Sequence, residues 1–265
     1  MSDLLSPEVR ARRVKVLLFD VDGVLTNGDI TIIPGIDGAA TEVKSFSAHD
    51  GLGVSLARLA GIKLGFVTKR NSQVVAIRAR DLKIEHVYQG QSHKMDAVNK
   101  ILAAEHCTLD ELAYVGDDII DLPVMRKVGF AIATANARPQ VKAAAHYITP
   151  LPGGQGAGRD AIDFILNARG ILGQTIEAYL DADNPEARKA DIGVGNMSRR
   201  LPRIPRISDD LFDLQRMPLR VLRHQHQPLI RIQIPQQQMR KEVATQIRIR
   251  TLRKRYRLCT FPLQH

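Results

Sequence analysis

Short apolar segments alternate with segments of helical spacing, and this alternation constrains the fold more than any other feature of the sequence. Residues 14–19 (VKVLLF) form an apolar, β-branched run that predicts a strand buried on both faces. Further strands are predicted over 62–67, 86–88, 113–115, 130–133 and 146–149. Helices are predicted over 50–60, 72–81, 93–106 and 159–168. Strands that alternate with helices of this length are typical of an α/β fold with a doubly wound parallel sheet.

One segment departs from that alternation. Residues 29–46 contain two strand-like runs on either side of a Gly-Ile-Asp-Gly turn, which predicts a β-hairpin inserted after the first strand. The hairpin carries Ile30, Ile32 and Ile33, which a single chain would expose as an apolar patch. Such a patch favours assembly of several copies.

Length and composition exclude several classes of protein. The chain has 265 residues and 44% apolar residues, which suits one large soluble domain or two small ones. It contains no apolar run near the ~18 residues that a membrane span needs. The N-terminal residues resemble neither a signal peptide nor a transit peptide. Cys107 and Cys259 are too few for a disulfide framework, so a reducing, cytoplasmic setting is predicted.

The net charge of +10 resides in one part of the chain. Residues 1–195 carry 22 Lys and Arg against 24 Asp and Glu, whereas residues 196–265 carry 16 against 4. We therefore predict a globular domain over 1–190 and an arginine-rich tail over 191–265. A disordered tail or a shifted reading frame is favoured over a nucleic-acid-binding arm, because the tail has few aromatic residues for base stacking.

Carboxylates follow two of the predicted strands. Asp20 and Asp22 come directly after the first strand, and Asp117 comes shortly after the strand at 113–115. The carboxyl ends of parallel strands meet at one edge of the sheet, so these side chains are expected to share a pocket with Asp118 and Asp121. Crowded carboxylates repel one another, and Mg²⁺ would relieve that repulsion. The alternative for any single Asp is a turn former or a helix cap.

Phosphoryl transfer is a reaction that commonly uses Mg²⁺ held in this way. Besides the metal, it needs groups that bind the phosphate oxygens and a fixed cation. Thr68 follows the strand at 62–67 and offers a hydroxyl group. Lys94 begins the next predicted helix and offers a positive charge. The alternative for Lys94 by itself is a solvated surface lysine.

These residues and their surroundings resemble a known family. The segment DVDGVLT at 20–26, Thr68, Lys94 and GDDIIDLPVM at 116–125 are similar, in order, to the four motifs of haloacid dehalogenase-type phosphatases. Further similarity to 3-deoxy-D-manno-octulosonate 8-phosphate (KDO 8-phosphate) phosphatases covers about residues 10–180. It rests on the segments FSAHDGLGV at 46–54, YQGQSHK at 88–94 and GGQGAGRDA at 153–161.

The resemblance implies a catalytic role for each of four residues. Asp20 would be the nucleophile that forms an aspartyl-phosphate, and Asp22 would protonate the leaving oxygen and then deprotonate the attacking water. Thr68 and the backbone amides near Asp22 would bind phosphate oxygens. Lys94 would pair with Asp20 and with the phosphate charge.

The resemblance also implies a magnesium site. Asp20, Asp117 and the backbone carbonyl of Asp22 would be direct Mg²⁺ ligands. Asp118 and Asp121 would not bind the metal directly but would orient these ligands, by contacting them or through bound water.

An anionic sugar acid needs cations and hydrogen-bond donors around it. The resemblance implies that Asp22 and Lys94 contact the substrate together with Ser47, Ala48, His49, Asp50, Gly51, Arg70 and Arg78. Arg159 would lie on a glycine-rich arm able to close over the pocket as a lid.

The resemblance further implies a capless fold, a homotetramer, and a cytoplasmic step of lipopolysaccharide synthesis. Three residues depart from the family pattern: Lys69 replaces a usual Gly, His49 a usual Arg, and Ser55 an Arg found in some members. These departures leave a nine-carbon, sialic-type sugar-acid phosphate open as an alternative substrate. A catalytically silent scaffold and a nucleic-acid binder acting through the tail are the alternatives outside enzymes.

Overall fold

A six-stranded, all-parallel sheet organises the computed structural model, which describes residues 5–35 and 40–192. Its strands, in chain order, are β1 (Val16–Phe19), β4 (Lys63–Val67), β5 (His86–Tyr88), β6 (Leu112–Gly116), β7 (Phe130–Ala133) and β8 (Tyr147–Ile148). Their order across the sheet is β5-β4-β1-β6-β7-β8. The hairpin strands β2 (Thr31–Pro34) and β3 (Ala40–Val43) pair antiparallel as a separate ribbon.

Helices cover both faces of the parallel sheet. They are α1 (Pro7–Arg12), α2 (Ala48–Leu59), α3 (Gln73–Asp81), α4 (Lys94–Glu105), α5 (Leu122–Met125), α6 (Pro139–Ala144), α7 (Ala157–Ala168), α8 (Leu172–Leu180) and α9 (Pro185–Ala190). One apolar core joins the sheet to α2 and α7, and a second core on the opposite face joins it to α4 and α5. Because both faces of β1 are buried, its sequence is apolar without alternation.

The central strand β1 positions the carboxyl edge of the sheet. Phe19 lies in register with Phe66 of β4 on one side and with Val115 of β6 on the other. The residues that follow these three strands are therefore brought together at one edge. In a doubly wound sheet this edge, where the strand order reverses, is where ligands bind.

The hairpin emerges between β1 and α2, and residues 36–39 at its predicted turn lie outside the described part of the chain. Ile30, Ile32 and Ile33 are each more than half exposed, at 56%, 59% and 53%. The predicted apolar patch is thus present on the single chain. Assembly through it stays a prediction.

The predicted fold class is confirmed, and every predicted strand and helix is found within a few residues of its expected bounds. The helices α1, α5, α6, α8 and α9, of four to nine residues each, were not predicted, because short segments carry little periodicity by themselves. Among the described residues no helix is both long enough and apolar enough to cross a membrane. The predicted boundary at residue 190 stays a prediction. The prediction for the tail falls, beyond residue 192, outside the described residues.

Candidate active site

Three neighbouring strands deliver the central residues of the site. Asp20 follows β1, Thr68 follows β4, and Asp117 follows β6. Asp20 and Thr68 are 3% and 2% exposed, so both are shielded from bulk solvent. The Thr68 backbone is fixed by its N–H, which donates to the Tyr88 carbonyl at 2.9 Å.

Lys94, the first residue of α4, connects these strand ends. Its Nζ lies 3.0 Å from Asp20 Oδ1 and 2.6 Å from Asp121 Oδ1, and its side chain is 1% exposed. A cation at a helix N-terminus opposes the helix dipole, so these two carboxylates must stabilise it. Burial lowers the pKa of Lys94, but the charges of Asp20 and Asp121 outweigh burial and raise it above its ordinary value. Lys94 is therefore a permanent cation beside Asp20.

Asp121 is the most highly hydrogen-bonded carboxylate of the site. Besides Lys94, it accepts hydrogen bonds from the Tyr114 hydroxyl at 2.8 Å and from the backbone amides of Asp117 at 3.0 Å and Asp118 at 3.2 Å. The pKa of Tyr114 is raised well above its ordinary value by burial and by Asp121, so its hydroxyl remains a donor. Asp121 thus fixes the turn that carries Asp117.

The acidic residues fit a divalent cation. Asp20, Asp117 and Asp121 each offer an oxygen within 4.8 Å of the others. Burial and the Asp121 charge raise the pKa of Asp20 to about 7. Burial, Asp20 and Asp121 raise the pKa of Asp117 to about 8. Asp117 Oδ1 is buried without a hydrogen-bond partner among the described residues, so this oxygen is available to bind a cation.

Gly23 allows the loop after β1 to approach this cluster. It has a φ of +90°, and a Cβ at this position would lie 2.1 Å from Asp117 Oδ2. Any side chain would therefore both strain the backbone and displace the Asp117 carboxylate.

Asp22 lies in a different environment from Asp20. It forms ion pairs with Lys44 and with Arg70, whose Nε lies 3.6 Å from Asp22 Oδ2. Arg70 Nη2 also donates to Glu42 Oε1 at 2.9 Å. Asp22 is thus the partly exposed, cation-paired carboxylate of the site, whereas Asp20 is the buried one.

The segment 47–51 begins α2. The Ser47 side chain accepts from the His49 amide at 3.2 Å, and Ala48 and His49 are exposed. Asp50 is buried and accepts from the Arg159 backbone amide at 2.8 Å, which caps the first turn of α7. The structure therefore gives the Asp50 side chain a role in packing α2 against α7.

Arg78 of α3 lies against the same segment. Its Nη2 donates to the Ser47 carbonyl at 3.4 Å, and its guanidinium lies 5.6 Å from the centroid of the Phe46 ring. A Cβ added to Gly51 would come within 3.0 Å of Arg78 Nη2. Glycine at this position therefore makes room for the arginine beside the start of α2.

Known proteins share this sequence and architecture. A family profile of haloacid dehalogenase-like hydrolases matches residues 65–156. The KDO 8-phosphate phosphatase of Yersinia pestis is 41% identical over 163 residues, which are 62% of this chain and 85% of that protein. The chain is a haloacid dehalogenase-type phosphatase.

Solved structures agree with this assignment. The KDO 8-phosphate phosphatase of Moraxella catarrhalis, in complex with magnesium, phosphate and KDO, has a TM-score of 0.61 and 36% identity over 65% of this chain and 97% of that one. The cobalt-bound enzyme from Haemophilus influenzae has a TM-score of 0.58 and 32% identity over 63% of this chain and 99% of that one. The phosphatase described here is therefore a phosphoric monoester hydrolase.

The three departures from the family pattern lie in different places in the phosphatase. Lys69 and His49 are exposed near the carboxyl edge of the sheet. Ser55 is fully buried, and its hydroxyl accepts from the Ile192 amide at 3.2 Å, so it packs α2 against the chain after α9. Ser55 is thus a structural residue in this protein.

The predicted arm has a packed arrangement. The Gly153 amide donates to Asn136 Oδ1 at 2.7 Å, and the Gly154 amide donates to the Val24 carbonyl at 3.2 Å. The Arg159 side chain pairs with Asp163 one helical turn later, at 2.7 Å. The structure therefore holds this segment against the loop after β1, and Arg159 belongs to α7. Closure of this segment over the pocket stays a prediction.

Sequence reasoning missed three residues that contact the predicted ones: Tyr114, Glu42 and Lys44. Tyr114 lies within an apolar strand, where its hydroxyl gave no signal. Glu42 and Lys44 are two residues apart at the end of β3, so they extend from the same face of the strand. That spacing was the available signal.

Proposed function

We propose that the phosphatase hydrolyses the phosphate monoester of an anionic sugar acid, with KDO 8-phosphate as its substrate and Mg²⁺ as its cofactor. The observation that carries this proposal is the buried Asp20 carboxylate, which lies 3.0 Å from Lys94 and within one acidic cluster. The similarity of the chain to KDO 8-phosphate phosphatases supports this choice of substrate. The reaction would be a cytoplasmic step of lipopolysaccharide synthesis.

Asp20 would attack the phosphorus atom, and the bond between phosphorus and the sugar oxygen would break. Asp22 would give its proton to that leaving oxygen. Water would then attack the aspartyl-phosphate and lose a proton to Asp22, so that inorganic phosphate is released and both carboxyl groups are restored. Lys94 and Thr68 would hold the phosphate oxygens and balance their charge.

Asp20, Asp117 and the Asp22 carbonyl would hold Mg²⁺, with Asp118 and Asp121 supporting them. The orphaned Asp117 oxygen and the raised pKa values of Asp20 and Asp117 support a cation at this position. When bound, Mg²⁺ would neutralise the crowded carboxylates and polarise the phosphate group.

The sugar acid would lie along the start of α2. Arg78 of α3 contacts Ser47 at the start of α2, and Arg70, in the loop before α3, pairs with Asp22 and Glu42. A guanidinium binds a carboxylate in a bidentate manner, so both arginines would bind the sugar acid. Ser47, Ala48 and His49 would form the adjoining wall, with Asp50 and Gly51 shaping it from behind. A sialic-type nine-carbon sugar acid would use the same groups, so it is the alternative substrate.

The test is phosphate release from a panel of KDO 8-phosphate, a nine-carbon sugar-acid 9-phosphate and glucose 6-phosphate, at equal concentration with Mg²⁺. We expect the highest kcat/KM for KDO 8-phosphate and no turnover by Asp20→Asn, which keeps the shape of the side chain. Asp29→Asn, at an exposed position outside the cluster, is the matched control and should retain full activity. Equal rates on all three substrates would contradict the assigned specificity.

We also propose that the exposed hairpin isoleucines mediate a homotetramer. Light scattering after size exclusion should give four times the mass of the chain, 29.4 kDa. Replacing Ile32 and Ile33 with Ser should give smaller species. A monomeric wild-type protein would contradict this assembly.

A further inference from the structure

The hairpin brings a buried cation into the site of its own chain. Lys44 directly follows β3, its side chain is 1% exposed, and its amine contacts Asp22 and lies 3.4 Å from Glu42 Oε1. A buried ammonium group is costly unless charged partners surround it. The position of Lys44 is therefore specified by the two carboxylates and is not that of a solvated surface lysine.

Lys44 belongs to a compact network with equal numbers of positive and negative charges. Lys44 and Arg70 each pair with both Asp22 and Glu42. The Ser72 hydroxyl donates to Glu42, and Ser72 is also the N-cap of α3. Glu42 is thus fixed to the body of the domain, and it holds both cations at the carboxyl edge of the sheet.

The charges of the neighbouring cluster leave a need for such cations. Asp20, Asp117 and Asp121 together carry three negative charges when ionised. Among the described residues, Lys94 is the one cation that pairs with this cluster. A divalent cation would bring this cluster to neutrality. A phosphate monoester then adds up to two further negative charges. Lys94 does not balance these by itself, because it already pairs with Asp20 and Asp121.

We propose that Lys44 is a phosphate-binding residue of this site. When substrate enters, its amine exchanges one carboxylate partner for a non-bridging oxygen of the phosphate group, beside the leaving oxygen that Asp22 serves. Glu42 remains as the partner that limits how far the amine can move. The inference rests on the proposed function for the position of the phosphate group, but it does not depend on which sugar is attached.

Binding of inorganic phosphate tests this role directly, by calorimetry on the full chain with saturating Mg²⁺. Lys44→Gln removes the charge and should weaken phosphate binding about 10-fold to 100-fold, the range for loss of one hydrogen bond to a charged group. Lys44→Arg keeps the charge and should bind within about 3-fold of wild type. Lys63→Gln is the matched control, since Lys63 is exposed at the opposite end of β4, and it should bind as wild type does.

Two outcomes would overturn the proposal: phosphate binding by Lys44→Gln equal to that of wild type, or binding by Lys44→Arg as weak as that of Lys44→Gln. If Lys44→Gln does not fold, Lys44→Met keeps the apolar stem and carries the same expectation. Failure of the sugar assignment is distinguishable, because it would change the substrate panel while leaving the phosphate affinities in this order.

Discussion

Replacing Asp121 with Ala tests how the site is held together. The Asp121 side chain is fully buried and accepts hydrogen bonds from Lys94, Tyr114 and two backbone amides. Asp121→Ala leaves the Lys94 ammonium buried with Asp20 as its remaining carboxylate partner. It also removes the acceptor that fixes the turn carrying Asp117.

Two effects of this change oppose each other. Removing one partner of a buried, hydrogen-bonded charge pair costs about 3–5 kcal/mol. However, the Asp121 charge helps to raise the pKa of both Asp20 and Asp117, so its removal relieves some repulsion when no cation is bound. We therefore expect a loss of about 3–5 kcal/mol in unfolding free energy with Mg²⁺, and a smaller loss with chelator.

Urea unfolding followed by circular dichroism measures both values on the full chain. Asp121→Asn keeps one acceptor oxygen and should lose about 1–3 kcal/mol. Asp183→Ala, at a fully exposed position, should change the unfolding free energy by less than about 0.5 kcal/mol. A loss below about 1 kcal/mol for Asp121→Ala in both buffers would refute the assignment of Asp121 as the residue that holds Lys94 and the turn.

Three further predictions concern pH, metal and the tail. Burial raises the pKa of Asp50 to about 6, so between about pH 4 and 6 this carboxyl group holds a proton in the folded protein that it has lost in the unfolded chain. The unfolding free energy of wild type minus that of Asp50→Asn should therefore fall as the pH rises through this window, and a flat difference would contradict the burial argument. Excess chelator should abolish phosphate release and Mg²⁺ should restore it, whereas Ca²⁺, with its longer and looser coordination, should restore it poorly; full activity in chelator would exclude a metal-dependent reaction. Deletion of residues 196–265 removes 16 basic and 4 acidic residues, so it should abolish any binding to DNA in a gel-shift assay while kcat changes less than a few-fold; loss of activity would place the tail within the functional fold.

The sequence by itself determined the sheet and the chemistry at its edge. Buried parallel strands need continuous apolar runs, and helices over them need a 3.6-residue period, so both are written locally in the sequence. The residues that follow a strand must lie at its carboxyl end. For that reason the sequence alone predicts that Asp20, Thr68 and Asp117 lie at one edge.

The short helices were beyond this reasoning. The segments of α1 and α9 have six residues each, too few to show a period. The side chain of Ser6 caps α1, and Arg10 and Ala11 of this helix are buried against the rest of the domain. Their stability comes from packing, which a local pattern does not contain.

Only the tertiary structure decided which polar residues meet. Lys44 pairs with Asp22 across 22 residues of sequence, and the Arg159 amide donates to the Asp50 carboxylate across 109. The same folding buries Asp50 between α2 and α7 and makes Asp121 an acceptor for Lys94. Motif spacing cannot encode these contacts, because they depend on how a hairpin and two helices from distant parts of the chain pack against one sheet edge. The burial that this packing creates shifts the pKa values of the buried groups.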